Sequence, residues 1–277
     1  SALRRLMKKT GEHGIEVRPL TGSIGAAIRG APLGNLTDEQ FAVIHRAFLD
    51  RCMLTFPGQH LDGADLTAFA QRWGEIMQTP MLTYLDGYPG ILRIFNRGKA
   101  ATPTEYWHPD SAYLERPPAI SILAAQELPE VGGDTMFCNQ YLAYEALSDG
   151  MKSYLEGLRG KFTAAIMARR TGHEGEVPFC YHPIVRTHPE TGRKALFVSH
   201  ADTVPSLENM TEAESRPLLD FLYAHSPKPD RSYRHIWQPG DVVMWDNRCS
   251  MHYAVHDHGD EAARIMYRVT IAGDRPA

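Results

Sequence analysis

A mainly β architecture, a β-sandwich or jelly roll with helices packed outside it, is the fold class this sequence predicts, and three observations point to it. Short apolar or alternating runs recur along the whole chain, closed by glycine or proline turns, whereas helical periodicity behind a proper cap occurs at only a few places. The 277 residues suffice for one sizeable core, and neither a repeat nor a linker divides them, so residues 1–277 are read as a single domain with insertions. With 43% hydrophobic and 22% charged residues, the composition excludes a disordered or fibrous chain.

The elements follow in order. Ile15 to Leu20 alternates apolar and polar residues and meets Thr21-Gly22-Ser23, a strand closing in a turn, and Gly25 to Ile28 continues the sheet. Thr37 with Gln40 forms a capping box ahead of Phe41, Ile44 and Phe48, which fall on one helical face. Cys52 to Phe56, stopped by Pro57-Gly58, reads as a buried strand. Asp65 is the expected cap of a second helix carrying Leu66, Phe69 and Trp73. Turns mark Gly87 to Gly90, and Asn96–Glu105 reads as a loop or lid. Ala119 to Ala125 is apolar enough for a core strand, Gly132-Gly133-Asp134 turns into Thr135-Met136-Phe137, and Ser148 caps a helix with Met151 and Leu155. Arg169–Val177, rich in glycine and charge, reads as a mobile loop. His182 to Ser199 holds a hairpin around Pro189-Glu190-Thr191-Gly192. Thr211 and Glu214 make another capping box, in a helix where Pro217 should cost regularity, and strands Asp241–Trp245 and Arg264–Ala272 close the chain.

The formal charge of −4 argues against binding a phosphate backbone, so nucleic acid is not an expected partner. Cys52, Cys138, Cys180 and Cys249 are far apart with no C-x-x-C pair, which suggests reduced thiols. No run of about 18 apolar residues occurs, and Ser1 to Thr10 is basic without the apolar core of a secretory signal; no membrane and a cytoplasmic location are the expectations.

The chemistry gathers around Tyr106-Trp107-His108-Pro109-Asp110. On extended backbone His108 and Asp110 point the same way, so an imidazole and a carboxylate can grip one metal ion, and a third ligand, with His252 the best candidate, would leave the opposite side open. Alone, His-x-Asp is a weak signal in a chain with 13 histidines. The last strand adds a second observation: Arg264, Met266, Arg268 and Thr270 share one face, Ile265, Tyr267, Val269 and Ile271 the other. With the apolar face on the helices, both arginines point inward, about 13 Å apart along the strand. A buried guanidinium needs an anion, which suggests two anionic groups near the metal; the alternative is a solvent-exposed face or internal pairing with acidic residues.

With these residues in view, the chain resembles the taurine dioxygenase (TauD/TfdA-like) family of iron(II)/2-oxoglutarate-dependent oxygenases, which also holds phenoxyalkanoate and alkylsulfate dioxygenases. The likeness runs from Pro19-Leu20-Thr21-Gly22 through Phe56-Pro57-Gly58-Gln59, Trp107-His108-Pro109-Asp110, Gly132-Gly133-Asp134-Thr135 and Val185 to Arg193. It ends with Trp245-Asp246-Asn247-Arg248, His252 and Arg264 to Arg268. The resemblance implies a double-stranded β-helix, a form of jelly roll. It makes His108, Asp110 and His252 the iron ligands, Thr135 and Arg264 the holders of the distal carboxylate of 2-oxoglutarate, and Arg268 the partner of an anionic substrate head. The implied reaction consumes dioxygen, turns 2-oxoglutarate into succinate and hydroxylates the substrate, with cleavage where the attacked carbon bears oxygen or sulfur. Many relatives are dimers or tetramers, so a homo-oligomer is expected.

The chain departs from the taurine-specific pattern at the substrate end. Thr79 and Leu82 stand where a histidine and a tyrosine meet the sulfonate and amine, and Thr104 replaces an asparagine before the first ligand. Met77, Met81 and Leu82 suggest a more apolar wall, suited to an anionic molecule with an aryl or alkyl body, unless those methionines belong to the core. His182, His188, His200, His256 and His258 receive no assignment. Two rival readings are a cupin-like zinc or nickel hydrolase or lyase, which would need neither Arg264 nor 2-oxoglutarate, and a non-catalytic metal-binding jelly-roll module.

Overall fold

The computed structural model describes residues 11–79, 82–97, 104–259 and 261–277. The first strands are β1 (Glu16–Pro19), β2 (Ala26–Arg29), β3 (Met53–Phe56), β4 (Ile76–Met77), β5 (Leu92–Arg97), β6 (Ile120–Glu127) and β7 (Thr135–Asn139). They are followed by β8 (Arg159–Thr163), β9 (Phe179–Pro183), β10 (Val185–Thr187), β11 (Lys194–Leu196), β12 (Ser232–His235), β13 (Val242–Asp246), β14 (Ser250–Ala254) and β15 (Ala263–Ile271). A large sheet runs in the order β1-β2-β3-β13-β6-β15-β4, with β5 also paired to β15, and a small sheet runs β12-β7-β14. The hairpins β8-β9 and β10-β11 stand beside them.

The sheets face each other, and the alternation of their side chains accounts for it. On the large sheet Leu123, Ala125, Val243, Trp245 and Met266 point to one side, where they meet Phe137 of β7 in a shared apolar cluster. The opposite side presents Ile120, Ile122, Ala124, Val242, Met244, Val269 and Ile271 to the helices α1 (Asp38–Arg51) and α2 (Gly63–Gln71). The far side of the small sheet carries Cys138 and Met251 into a third cluster with α3 (Gln140–Glu145), α4 (Asp149–Leu155) and later elements. This arrangement is the jelly roll expected. The apolar side of β15 packs on the helices, with Tyr267 against the same cluster as Val269 and Ile271, which turns Arg264 and Arg268 inward.

The capping boxes are present as predicted. Thr37 accepts from Gln40 N at the start of α1, which buries Val43, Ile44, Ala47 and Phe48 and ends at Cys52 in the left-handed region. Thr211 and Glu214 open α6 (Glu212–His225), which continues through Pro217: the proline removes a single i→i−4 bond, and buried Leu219 and Leu222 hold the rest. Ser148 caps α4 through Met151 N. Three expectations are corrected. Asp62, not Asp65, caps α2, because its carboxylate accepts from Asp65 N, three residues on. Arg169, Arg170 and Thr171 belong to α5 (Ala165–Thr171), closed by left-handed Gly172, so only the remainder of the presumed loop is irregular. Asn96 and Arg97 are part of β5, paired to β15; residues 98–103, in the middle of the other presumed loop, lie outside the described residues, as does Met81.

Between β13 and β14 the chain leaves the large sheet and enters the small one. Asp246, fully buried, anchors this turn: Arg248 Nε donates to its Oδ1 and Nη2 to its Oδ2, each at 2.8 Å, and His188 Nε2 donates to Oδ2 at 3.0 Å. The His188 tautomer follows, because Nδ1 accepts from the backbone of Glu190 and Thr191. Arg248 Nη1 reaches on to Glu190 at 2.9 Å. Burial alone would push the Asp246 carboxyl up, but the Arg248 charge and the hydrogen bonds from Arg248 and His188 outweigh it and hold it well below the usual range.

Asp246→Asn should therefore lower unfolding free energy at pH 7 by about 3–5 kcal/mol, the cost of breaking a buried pair from one side. A group with a depressed folded pKa contributes stability present above its unfolded value, 3.8, and lost as pH falls below it. Urea denaturation across that acid limb should show the wild type losing stability more steeply than the variant.

Candidate active site

His108 makes an isolated antiparallel bridge with His252 of β14, each backbone N–H donating to the other's carbonyl at 3.1 and 3.0 Å. The bridge sets the two imidazoles side by side, with centroids 4.2 Å apart. Asp110 comes next in a turn rather than in the continuous strand that alternation implied, and Pro109 lies outside any ladder, so its missing N–H removes no sheet bond. Donor atoms of His108, Asp110 and His252 all lie within 4.8 Å of one another, and all three residues are buried.

The donor set fits a divalent transition metal. His108 Nδ1 is tied to Tyr106 O at 2.8 Å, which fixes the tautomer and leaves Nε2 as the atom able to bind a metal. Asp110 Oδ2 accepts from Ser121 Oγ at 2.6 Å, leaving Oδ1, which stands 3.7 Å from His252 Nε2. Ligand atoms about 2.1 Å from a shared ion stand roughly 3 to 4 Å apart, so this spacing suits two ligands better than a hydrogen bond. Burial, with the nearby His108, pushes the His252 imidazole down to about 3, and burial lowers His108 as well. Burial would raise the Asp110 carboxyl, yet Arg268, the two imidazoles and the Ser121 hydroxyl hold it well below the usual carboxylate range. Two neutral imidazoles and an ionised carboxylate are the state a cation needs, and two histidines with one carboxylate on one side form the pattern of non-haem iron sites.

The three side chains open into a cavity of about 340 Å³. Its wall is apolar at Leu82, Leu92, Ile94, Leu123, Ile166 and Met167, and carries Arg264, Arg268, Thr135 and Thr104 among its polar groups. Arg264 is buried; its Nε donates to Gly133 O at 3.0 Å and its guanidinium lies 5.7 Å over the Trp237 ring. Gly133 has φ +74°, a conformation that favours glycine, and a Cβ there would stand 3.0 Å from Arg264 Cδ, a tight contact that the arginine would have to relieve by shifting. Trp237 Nε1 donates to Thr135 Oγ1 at 3.0 Å, which leaves the Thr135 hydroxyl hydrogen free to donate elsewhere. Burial pushes the Arg264 guanidinium down to about 10, so it remains charged at neutral pH, and it makes no ion pair among the described residues.

Arg268 differs from the expectation of two arginines each awaiting an outside anion. Its Nη1 donates to Asp110 Oδ1 at 3.2 Å, so internal pairing already serves it in part. Thr79 also differs: it is buried, its backbone N–H is held by the Tyr84 hydroxyl, and it is not among the described residues lining the cavity, whereas Leu82 and Thr104 are. Met77 pairs with Thr270 in β4 and is likewise off the wall. His182 bonds Leu114 O, His188 belongs to the Asp246 network, and His256 reaches the cavity. Sequence reasoning missed Tyr106, whose ring lies 4.6 Å from that of His108, and α5, which supplies Ile166 and Met167. It also missed Ser121, although a lone hydroxyl in an apolar core strand is a signal in itself.

Comparison with known proteins agrees with this geometry. The family model described as taurine catabolism dioxygenase TauD, TfdA family matches residues 16–270. The chain is 34% identical to an (S)-phenoxypropionate/alpha-ketoglutarate-dioxygenase of Sphingobium herbicidovorans, over 94% of this chain and 95% of that protein. It is also 34% identical to an alkylsulfatase of Acinetobacter baylyi, over 94% and 86%. Among solved structures, a taurine dioxygenase from Burkholderia xenovorans superposes with TM-score 0.83 at 35% identity, covering 95% of this chain and 92% of that one. AAD-2 in complex with Mn(II) and N-oxalylglycine superposes with TM-score 0.80 at 28% identity, covering 95% and 98%.

Cobalt(II), followed by visible absorption, should bind the wild type at one ion per chain. Asp110→Ala and His252→Ala should each weaken that binding by about 100-fold or more with an unchanged far-ultraviolet circular dichroism spectrum. Retained affinity in either variant would remove that residue from the ligand set.

Proposed function

The chain belongs to the TauD/TfdA family of iron(II)- and 2-oxoglutarate-dependent dioxygenases, and from that premise we propose that it hydroxylates a small anionic molecule with an alkyl or aryl body. Aryloxyalkanoates, alkyl sulfates and sulfonates are the classes intended. The observation that carries this reading is the pairing of two inward arginines on one face of β15 with an apolar-walled cavity above His108, Asp110 and His252.

His108 Nε2, Asp110 Oδ1 and His252 would hold iron(II). The chemistry iron(II) supplies when bound is activation of dioxygen coupled to decarboxylation of 2-oxoglutarate to succinate. Around it, this chain's residues bind and orient. Arg264, a planar fork without an internal carboxylate, and Thr135, whose hydroxyl is turned into a donor by Trp237, suit the distal carboxylate of 2-oxoglutarate. Arg268 keeps its other donors for the substrate's anionic head while Nη1 stays on Asp110. This would aim the head toward the metal side and lay the organic body along Leu82, Leu92, Ile94, Ile166 and Met167, where water is excluded. Where the hydroxylated carbon bears oxygen or sulfur, the product would collapse to a carbonyl compound and a released phenol or oxyanion.

Taurine fits this wall poorly. Among the described lining residues the carboxylates are Asp110 and Asp134, and each is already paired with an arginine, Asp110 with Arg268 and Asp134 with Arg234 at 2.7 Å, so an ammonium would meet a carboxylate whose charge is offset. A cupin-like hydrolase or a non-catalytic module would leave a buried, charged Arg264 facing the cavity without purpose. We read residues 1–277 as one catalytic domain acting in the cytoplasm on a small molecule, without nucleic acid or membrane. The net charge of −4, the free cysteines, and the lack, among the described residues, of a helix long and apolar enough to cross a membrane support this reading. The expected dimer or tetramer rests on the family alone.

Anaerobic addition of iron(II) and 2-oxoglutarate should produce the weak visible charge-transfer band of the chelate; its absence would sink the assignment of the site. Arg264→Ala should raise the 2-oxoglutarate requirement by about 30-fold or more, and Arg268→Ala should raise the KM for the primary substrate by a similar factor, both from removing one partner of a buried charge contact. Succinate release coupled to a panel of 2-phenoxypropionate, hexyl sulfate and hexanesulfonate reads both effects and ranks the substrate classes.

A further inference from the structure

The carboxylate of Asp110 sits in a closed ring of hydrogen bonds whose other members have no assigned part in the chemistry. Asp110 N donates to Asn247 Oδ1 at 3.0 Å, and Trp245 Nε1 donates to the same oxygen at 3.1 Å. Two N–H donors on one atom fix the orientation of the Asn247 amide, so Nδ2 is the group that points at Ser121 Oγ, 2.9 Å away. Having accepted there, the Ser121 hydroxyl has its own hydrogen left to donate, and it does so to Asp110 Oδ2 at 2.6 Å, a short bond of the charge-assisted kind. Ser121, Asn247 and Asp110 are all buried, so no solvent competes.

The direction of donation runs one way round the ring. It starts from an amide that cannot flip, passes through a hydroxyl that has one remaining hydrogen, and ends on one named oxygen of the carboxylate. Asn247 is itself held by its backbone, whose N–H donates to Ala119 O at 2.9 Å, and the next residue, Arg248, donates its backbone N–H to Asp246 Oδ1 at 2.9 Å, which fixes the turn on either side of it. Oδ2 is thereby occupied and turned away, while Oδ1 is left facing His252 and Arg268. We infer that Asn247, acting through Ser121, is the positioning residue that keeps Asp110 a one-oxygen ligand of the metal. This inference rests on the proposed iron site.

The test uses the full chain and manganese(II) alone as probe, with free Mn(II) counted by electron paramagnetic resonance, and cobalt(II) absorption as a second readout. Ser121→Ala removes the donor to Oδ2, and Asn247→Asp keeps the accepting oxygen but replaces the amide donor, so that the Ser121 hydroxyl turns from Asp110 to the new carboxylate. Both should raise the Mn(II) dissociation constant by about 10- to 100-fold and alter the Co(II) spectrum. Ser121→Thr, which keeps the hydroxyl, should restore both, and the double variant Ser121→Ala/Asn247→Asp should be no weaker than the worse single one. A Ser121→Ala protein that melts earlier yet binds Mn(II) with wild-type affinity and an unchanged Co(II) spectrum would overturn the inference and make these residues structural only. A wild type that binds no Mn(II) would overturn the iron site and this inference with it.

Discussion

The turn that carries the chain from the large sheet to the small one is the constraint on which the rest of this protein depends. A carboxylate without solvent is tolerable only when every lone pair has a partner, and Asp246 meets that condition with Arg248, His188 and the Arg248 backbone. Because the turn cannot relax, Asn247 is presented to Asp110 on one side, and β14 begins at a set height on the other. His252 then meets His108 through paired backbone bonds. The cluster of His108, Asp110 and His252 is thus assembled by main-chain geometry first and by side-chain choice second.

The second organising feature is charge placed on the inner face of a strand. β15 puts Tyr267, Val269 and Ile271 against the helices, and the pleat then obliges Arg264 and Arg268 to face the cavity. The protein treats the two cations differently. Arg268 leans on the Asp110 carboxylate, whereas Arg264 is braced by a carbonyl and an aromatic face and keeps its remaining donors toward the cavity. Asp134, the other carboxylate among the described wall residues, is drawn off by Arg234. Three cooperating details, a glycine at Gly133, an indole at Trp237 and a diverted carboxylate, therefore hold one guanidinium available.

Stability and function share residues here. Ser121 would pack better as an apolar residue on a strand whose neighbours are buried hydrophobics, and its hydroxyl is retained where Asp110 Oδ2 can use it. The same holds for the Trp237 N–H, which turns the Thr135 hydroxyl outward. Ser121 and Trp237 break local consistency one step behind the cavity, where they touch Asp110 and Thr135 on its wall.

Strand alternation in β15, the capping boxes at Thr37 and Thr211, the hairpin at 189–192 and the His108–Asp110 pair were legible in the sequence alone, because each depends on neighbours within a few residues. What needed tertiary structure was whatever depends on contacts distant in sequence. α5 follows Ala164, which offers no side-chain cap, so no local sign announced it, whereas the cap of α2 is itself local, Asp62 accepting from Asp65 N three residues on. Thr79 lies off the cavity wall although its sequence neighbour Leu82 lies on it, and Arg268 has a partner 158 residues away. The bond between Asn247 and Ser121 spans 126 residues of chain, and no pattern of period two or 3.6 can encode it; only the pairing of β13 with β6 brings those side chains within reach.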